Sequence, residues 1–150
     1  MMELQTSGPV CCGIELSARR AIFVFLRREG AATVDITGKN TQVSIEDEDD
    51  PEQVRRFYHA THAVFERMRP DRIAIIQRKK RGHFASGGTT FKLEGLLQLY
   101  PRVAVTLVAP VILRQFAKEH RPDLIPRYRY QKNAYLLASY LLHECERAAG

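Results

Sequence analysis

The sequence predicts a mixed α/β fold: a five-stranded sheet, three antiparallel strands followed by two parallel ones, flanked by helices. Three observations carry this. Two apolar runs near the start, Val10–Ile14 and Ala21–Leu26, are separated by a short polar stretch, as in an antiparallel hairpin. Two later runs rich in branched residues, Ile73–Ile76 and Val103–Val108, have the length and composition of buried parallel strands. Each is preceded by a segment of helical periodicity, the crossover that makes neighbouring strands parallel. At 150 residues the chain is expected to form one domain, 1–150.

The elements follow in order. The first strand ends at Glu15 and Leu16, and Ser17 to Arg20 form the turn. Glu29-Gly30 turns the chain again. The third strand is read as one edge strand at Thr41–Ile45, with Thr33–Ile36 as a short ladder and Gly38-Lys39-Asn40 interrupting; its polar alternation suits an edge. Asp49 or Asp50 caps a helix with Pro51 at its first position and Glu52 in its first turn, where free amides favour both. Val54, Phe57, Thr61, Val64 or Phe65, and Met68 fall on its inner stripe. After the Ile73 strand, Thr89-Thr90 open a helix that ends near Tyr100-Pro101. Pro110 starts another, reaching about Glu119, with Ile112, Leu113, Phe116 and Ala117 inward. His120 to Tyr130, with Pro122 and Pro126, reads as loop. The last helix spans Tyr130 to Glu146, with Ala134, Leu137, Ala138, Leu141 and Cys145 as its stripe.

Composition narrows the function classes. Apolar residues make up 45%, yet no run approaches a membrane span and no secretory signal is visible, so a cytoplasmic location is expected. Cys11, Cys12 and Cys145 fit neither zinc spacing nor a disulfide framework and are expected to be buried thiols, the first two on opposite faces of a strand. His59 and His62 share a helix face without a third ligand, so packing or surface roles are expected. The net charge is +6, and six of the 17 acids fall within Glu46–Glu52, leaving 23 bases against 11 acids elsewhere. Such a surface attracts phosphates. The acid run itself reads as a helix start and a solvated loop.

The candidate site lies where a buried strand feeds a glycine-containing loop and then a helix, the carboxyl edge at which open α/β sheets bind ligands. After Ile76 come Gln77, the bases Arg78-Lys79-Lys80-Arg81, then Gly82 to Gly88. Arg78, Lys79, Lys80, Arg81, His83, Lys92 and Lys132 are candidate nucleic-acid contacts. Gly87 and Gly88 are placed to present amides to a phosphate at the helix start. Arg114, Lys118, Arg121, Arg127 and Arg129 extend the field if their elements face this edge, and Phe84 and Tyr128 are candidates to stack on bases. No Gly-Lys-Ser/Thr follows the loop and no dinucleotide fingerprint is present, which excludes those nucleotide sites.

Three antiparallel strands followed by two strand-helix crossovers is the connectivity of the ribonuclease H-like fold, which would set the first strand beside the Ile73 strand and bring Glu15 near Gln77. Gly13-Ile14-Glu15, the segment Gly82 to Lys92, and Tyr130-Gln131-Lys132-Asn133-Ala134-Tyr135 resemble the bacterial proteins grouped as domain of unknown function 3010, over roughly Cys12 to Leu142. That group is similar to the Holliday-junction resolvases of the ribonuclease H-like superfamily. The resemblance implies a catalytic edge where clustered carboxylates hold two divalent metals, Mg or Mn, that activate water on a phosphodiester. Glu15 matches the first-strand acid and is the metal-ligand candidate. Gln77 stands where the fourth strand usually carries a glutamate, and Asn133 near the last-helix acid; these amides ligate weakly and bring no charge. Glu94 and Asp35 are substitutes.

The expectation is therefore a domain that binds DNA or RNA, structured or branched, at a carboxylate-poor site with little or no cleavage. Two alternatives stay open: a divalent-metal nuclease of resolvase type using Glu15, Gln77, Asn133 and Glu94, and a structural or protein-interaction module, homodimeric in its simplest form.

Overall fold

A computed structural model of the chain describes residues 8–78 and 87–149. Its elements run β1 (Val10–Ser17), β2 (Arg20–Glu29), β3 (Ala32–Asp35), β4 (Gln42–Ser44), α1 (Pro51–Met68), β5 (Arg72–Ile76), α2 (Gly88–Gln98), β6 (Val105–Val108), α3 (Pro110–His120), a 3-10 turn (Arg129–Gln131) and α4 (Lys132–Ala149). The sheet order is β3-β2-β1-β5-β6 with β4 also on β2. β1 is antiparallel to β2 and parallel to β5, and β5 is parallel to β6. The mixed topology expected from the sequence, with β1 beside β5, is present.

Two local expectations are corrected. The third strand is two strands, both antiparallel to β2: β3 pairs with Leu26–Glu29 and β4 with Arg20–Ile22, so the sheet holds six strands. Between them the Thr37 hydroxyl accepts from the Phe25 amide at 2.9 Å, and Gly38 turns the chain at φ +57°. A side chain thus stands in for the missing ladder oxygen, which is why the edge breaks without leaving β2 unpaired. The first hairpin turn is also tighter, because pairing continues through Ser17 and Arg20; Ala18 closes it at φ +54°. Among the remaining elements, β6 starts at Val105 rather than Val103, and Ile112 is 43% exposed rather than inward.

Strand alternation divides the core into two layers. Toward α1 and α2 point Cys12, Ile14, Phe23, Phe25, Ile73 and Ile75, packed on Phe57, Phe65, Leu93 and Leu97. Toward α3 and α4 point Cys11, Ile22, Val24, Ala74 and Ile76, packed on Leu113, Ala134, Leu137, Ala138 and Leu141. Cys11 and Cys12 are buried on opposite faces, as expected, and Cys11 Sγ lies 3.7 Å from Cys145 Sγ on α4. His62 packs among Tyr58, Phe65 and Tyr100, with Nε2 2.9 Å from the Leu96 carbonyl.

Gly13 fixes how closely α4 approaches. A Cβ there would stand 2.2 Å from the Ala134 carbonyl oxygen and 2.6 Å from the Ala138 nitrogen, so only glycine admits the helix backbone against β1. α1 begins as its sequence predicts: Asp50 is the N-cap, its carboxylate accepting from the Glu52 amide at 3.0 Å, and Pro51 is the first residue. Arg69 closes the helix in the left-handed conformation.

Candidate nucleic-acid interface

β1, β5 and β6 run parallel, so their carboxyl ends share one edge of the sheet. The β1–β2 turn, the segment after β4, the start of α2 and the start of α4 all return to this edge. Glu15 lies two residues before the end of β1, and alternation aims it at the α4 side. There Asn133, in the first turn of α4, donates from Nδ2 to Glu15 Oε2 at 2.9 Å. The glycine contact and this hydrogen bond are linked, because Gly13 lets the α4 backbone come close enough for Asn133 to reach the acid two residues on. The Gly-x-Glu and Tyr-Gln-x-x-Ala-Tyr segments thus interlock.

Gln77 is placed differently from its neighbours. The β1–β5 register sets Ile14 opposite Ile75, so Glu15 stands opposite Ile76. Ile76 belongs to the α4-side layer and is 8% exposed. Gln77 follows it, its amide donating to the Val108 carbonyl at 2.8 Å, and alternation turns it to the other face. The strand position beside Glu15 therefore presents an aliphatic side chain. The signal for Ile76 in the sequence is period two combined with the expected β1–β5 pairing.

The two substitute acids lie apart from this pair. Glu94 is buried on α2, which packs on the sheet from the face opposite α4. Asp35 pairs with Leu26, four residues along β2 from the partner of Glu15, Ile22. Its Oδ1 accepts from the Thr37 amide at 3.0 Å and hydroxyl at 2.5 Å. Among the described residues no three His, Cys, Asp or Glu side chains are grouped to hold a metal ion.

Of the basic candidates, Lys79, Lys80, Arg81 and His83, with Phe84, lie outside the described residues. Arg78 follows Gln77 at the same edge and is half-buried. Lys132 is exposed at the start of α4, and Gly87 and Gly88 are exposed at the start of α2, with no atom within 4 Å of a Cβ at either. Lys92 is engaged within the molecule, its ammonium donating to the Glu48 carbonyl at 2.6 Å. α3 starts just past β6 and leads away from this edge, so Lys118 and Arg121 near its end sit about 12–16 Å from its start, outside the field drawn from the sequence.

The acid run holds more than a solvated loop. The Glu48 carboxylate accepts from the Thr89 hydroxyl at 2.7 Å and pairs with Arg19, which also donates to the Glu46 carbonyl at 3.0 Å. The Thr89 hydroxyl, a backbone amide and Arg19 together pull the Glu48 carboxyl down to about 2. Glu48 thereby ties the hairpin turn, the segment before α1 and the first turn of α2 together. No spacing rule marks Glu48, because its partners are 29 and 41 residues away.

Gln131 was part of a motif without a role. It is 1% exposed; its Nε2 donates to the Phe23 carbonyl at 3.1 Å, and its Oε1 accepts from the Tyr128 amide at 3.1 Å. One buried amide thus fastens the segment before α4 to β2, satisfying two backbone groups that burial would otherwise penalise.

Among the described residues no helix is long and apolar enough to cross a membrane. Solved structures with the same fold include Thermus thermophilus RuvC, at 16% identity and a TM-score of 0.71, covering 91% of this chain and 96% of that one. T. thermophilus RuvC in complex with a Holliday junction substrate matches at 16% identity and a TM-score of 0.69, covering 92% and 96%. The fold is thus ribonuclease H-like. Among curated proteins none matches the sequence. A family described as "Protein of unknown function (DUF3010)" matches residues 10–141, a span that contains β1, Glu15, Asn133 and the interlocked motifs, and the chain belongs to that family.

Proposed function

We propose that the carboxyl edge binds nucleic acid, structured or branched, with little or no phosphodiester cleavage. The observation that carries this is the company of Glu15: one carboxylate hydrogen-bonded by an amide, Asn133, and flanked on its own face by Ile76. A two-metal centre needs several carboxylate oxygens to neutralise and hold two divalent ions, and the described donors around Glu15 do not fit that requirement. Binding needs less. Arg78, Lys132 and Arg129 stand at or beside the same edge, within a chain of net charge +6. The structurally similar RuvC holds a Holliday junction substrate, which makes a branched duplex the first form to try.

The test is titration of labelled four-way junction, duplex and single-stranded DNA and RNA at low salt, followed by incubation with Mg or Mn. The expected result is binding that weakens steeply with salt, unaltered strands after incubation, and retained affinity in Glu15→Gln. Failure of every form to bind overturns the reading. Mn-dependent cleavage abolished by Glu15→Gln in a folded protein replaces it with a nuclease in which the buried Glu94 is the next carboxylate to test.

A further inference from the structure

The segment that Gln131 fastens to β2 carries three side chains of a four-membered stack, which Arg20 of β2 completes. The Tyr128 and Tyr130 rings lie 5.6 Å apart between centroids and 11° from parallel. The Arg127 guanidinium carbon is 5.3 Å from the Tyr128 ring centre, and that of Arg20 is 4.9 Å from the Tyr130 ring centre. Arg20 opens β2 opposite Ser17, two residues beyond Glu15 on β1. Asn133 follows Tyr130 by three residues. The stack therefore flanks Glu15 on the β2 side, whereas Arg78 flanks it on the β5 side.

We propose that this stack is a seat for an unpaired nucleobase, with Tyr128 as the ring on which the base lies and Arg127 as the group that meets its phosphate. The proposal rests on the nucleic-acid reading of the edge and names the feature of the ligand it selects. Tyr128 is 41% exposed, so part of the side chain is open to a ligand. Its backbone is held by the Gln131 amide and its ring backed by Tyr130, so little conformational freedom is lost when a base lands on it. Arg127 is exposed and also lines a cavity of about 330 Å³ with Asp35, Thr41, Ile125 and Gln131, so the guanidinium has room to swing while a base takes its place on the ring. Bases inside a duplex offer edges to the grooves and hide their faces. An aromatic platform therefore selects strands whose bases are unstacked, at single-stranded segments, bulges or junction centres.

The experiment uses the full chain and three labelled probes: a deoxythymidine 12-mer, a blunt duplex, and the same duplex with a three-nucleotide thymidine bulge. The chain has six tyrosines and no tryptophan, so tyrosine fluorescence also reports stacking. The expected result is tighter binding of the bulged than the blunt duplex, with tyrosine quenching by the 12-mer. Tyr128→Ala should weaken 12-mer and bulge binding by roughly tenfold, with blunt-duplex affinity and salt dependence unchanged, and Tyr128→Phe should restore it. If Tyr128→Ala leaves the bulged-to-blunt ratio unaltered while lowering the melting temperature, the stack is a strut for the loop and the proposal fails, with nucleic-acid binding intact. Absence of binding to all three probes overturns both the proposal and the reading it rests on.

Discussion

The two faces of the sheet are built from different materials. Toward α1 and α2 the layer is aromatic: Phe23 meets Phe65 edge-on at 6.0 Å, and Phe65 meets Tyr100 at 4.9 Å. Toward α4 it is small at the centre, with Gly13 and Ala74 on the strands against Ala134 and Ala138 on the helix. Large rings bury much area and hold a helix at side-chain distance, where modest shifts are tolerated. Small residues bury less and bring backbone against backbone, so the helix has one position. The aromatic face supplies bulk stability, and the small-residue face supplies placement, which is why Glu15, Asn133 and Gln131 all belong to the α4 side.

The largest expected effect breaks the aromatic side. Phe65→Ala should cost about 3–5 kcal/mol in a denaturant melt, while the fraction that stays folded keeps its nucleic-acid affinity. Gly13→Ala should cost a comparable amount, about 3 kcal/mol, because the added methyl meets helix backbone rather than a side chain that can rotate away, and it should disturb the edge more. Amide exchange in α4 should rise above that in α1, and the affinity difference between bulged and blunt duplex should shrink; equal exchange in both helices would erase the distinction between the faces. Asp50→Ala, which removes the α1 cap, should cost about 1 kcal/mol with binding unchanged. The smallest effect is a titration. Glu48 is held at about 2 against an ordinary value of 4.5, so its contribution is complete above pH 4.5 and fades as pH falls from there toward 2. Glu48→Gln should flatten the melting-temperature profile in that window, and an unchanged profile would show that the Arg19 and Thr89 contacts do not support the folded state.

What was legible in the sequence follows from the range of the forces involved. Ile73–Ile76 and Ala21–Leu26 announce themselves because buried strands need contiguous apolar residues. Asp50-Pro51-Glu52 marks a helix start because caps act within one turn. The β1–β5 neighbourhood followed from connectivity, and it brought Glu15 and Asn133 to one edge as the resemblance implied. Glu48 was hidden because its partners are distant in the chain. Gln77 stands, by the resemblance, where the fourth strand usually carries a glutamate, although pairing register, which a single sequence shows only indirectly, gives the place beside Glu15 to Ile76. The split edge was half-visible: Gly38-Lys39-Asn40 marked the break, but the Thr37 hydroxyl that bridges it looks like any other threonine.

That split has a consequence for behaviour in crowded solution. A four-residue and a three-residue strand, β3 and β4, separated by a left-handed bend, offer no long flat row of free peptide groups to an incoming chain. Growth of the sheet into fibrils by edge addition is disfavoured on the β2 side by this geometry, and the exposed Lys39 within the break sets a charge at the same place.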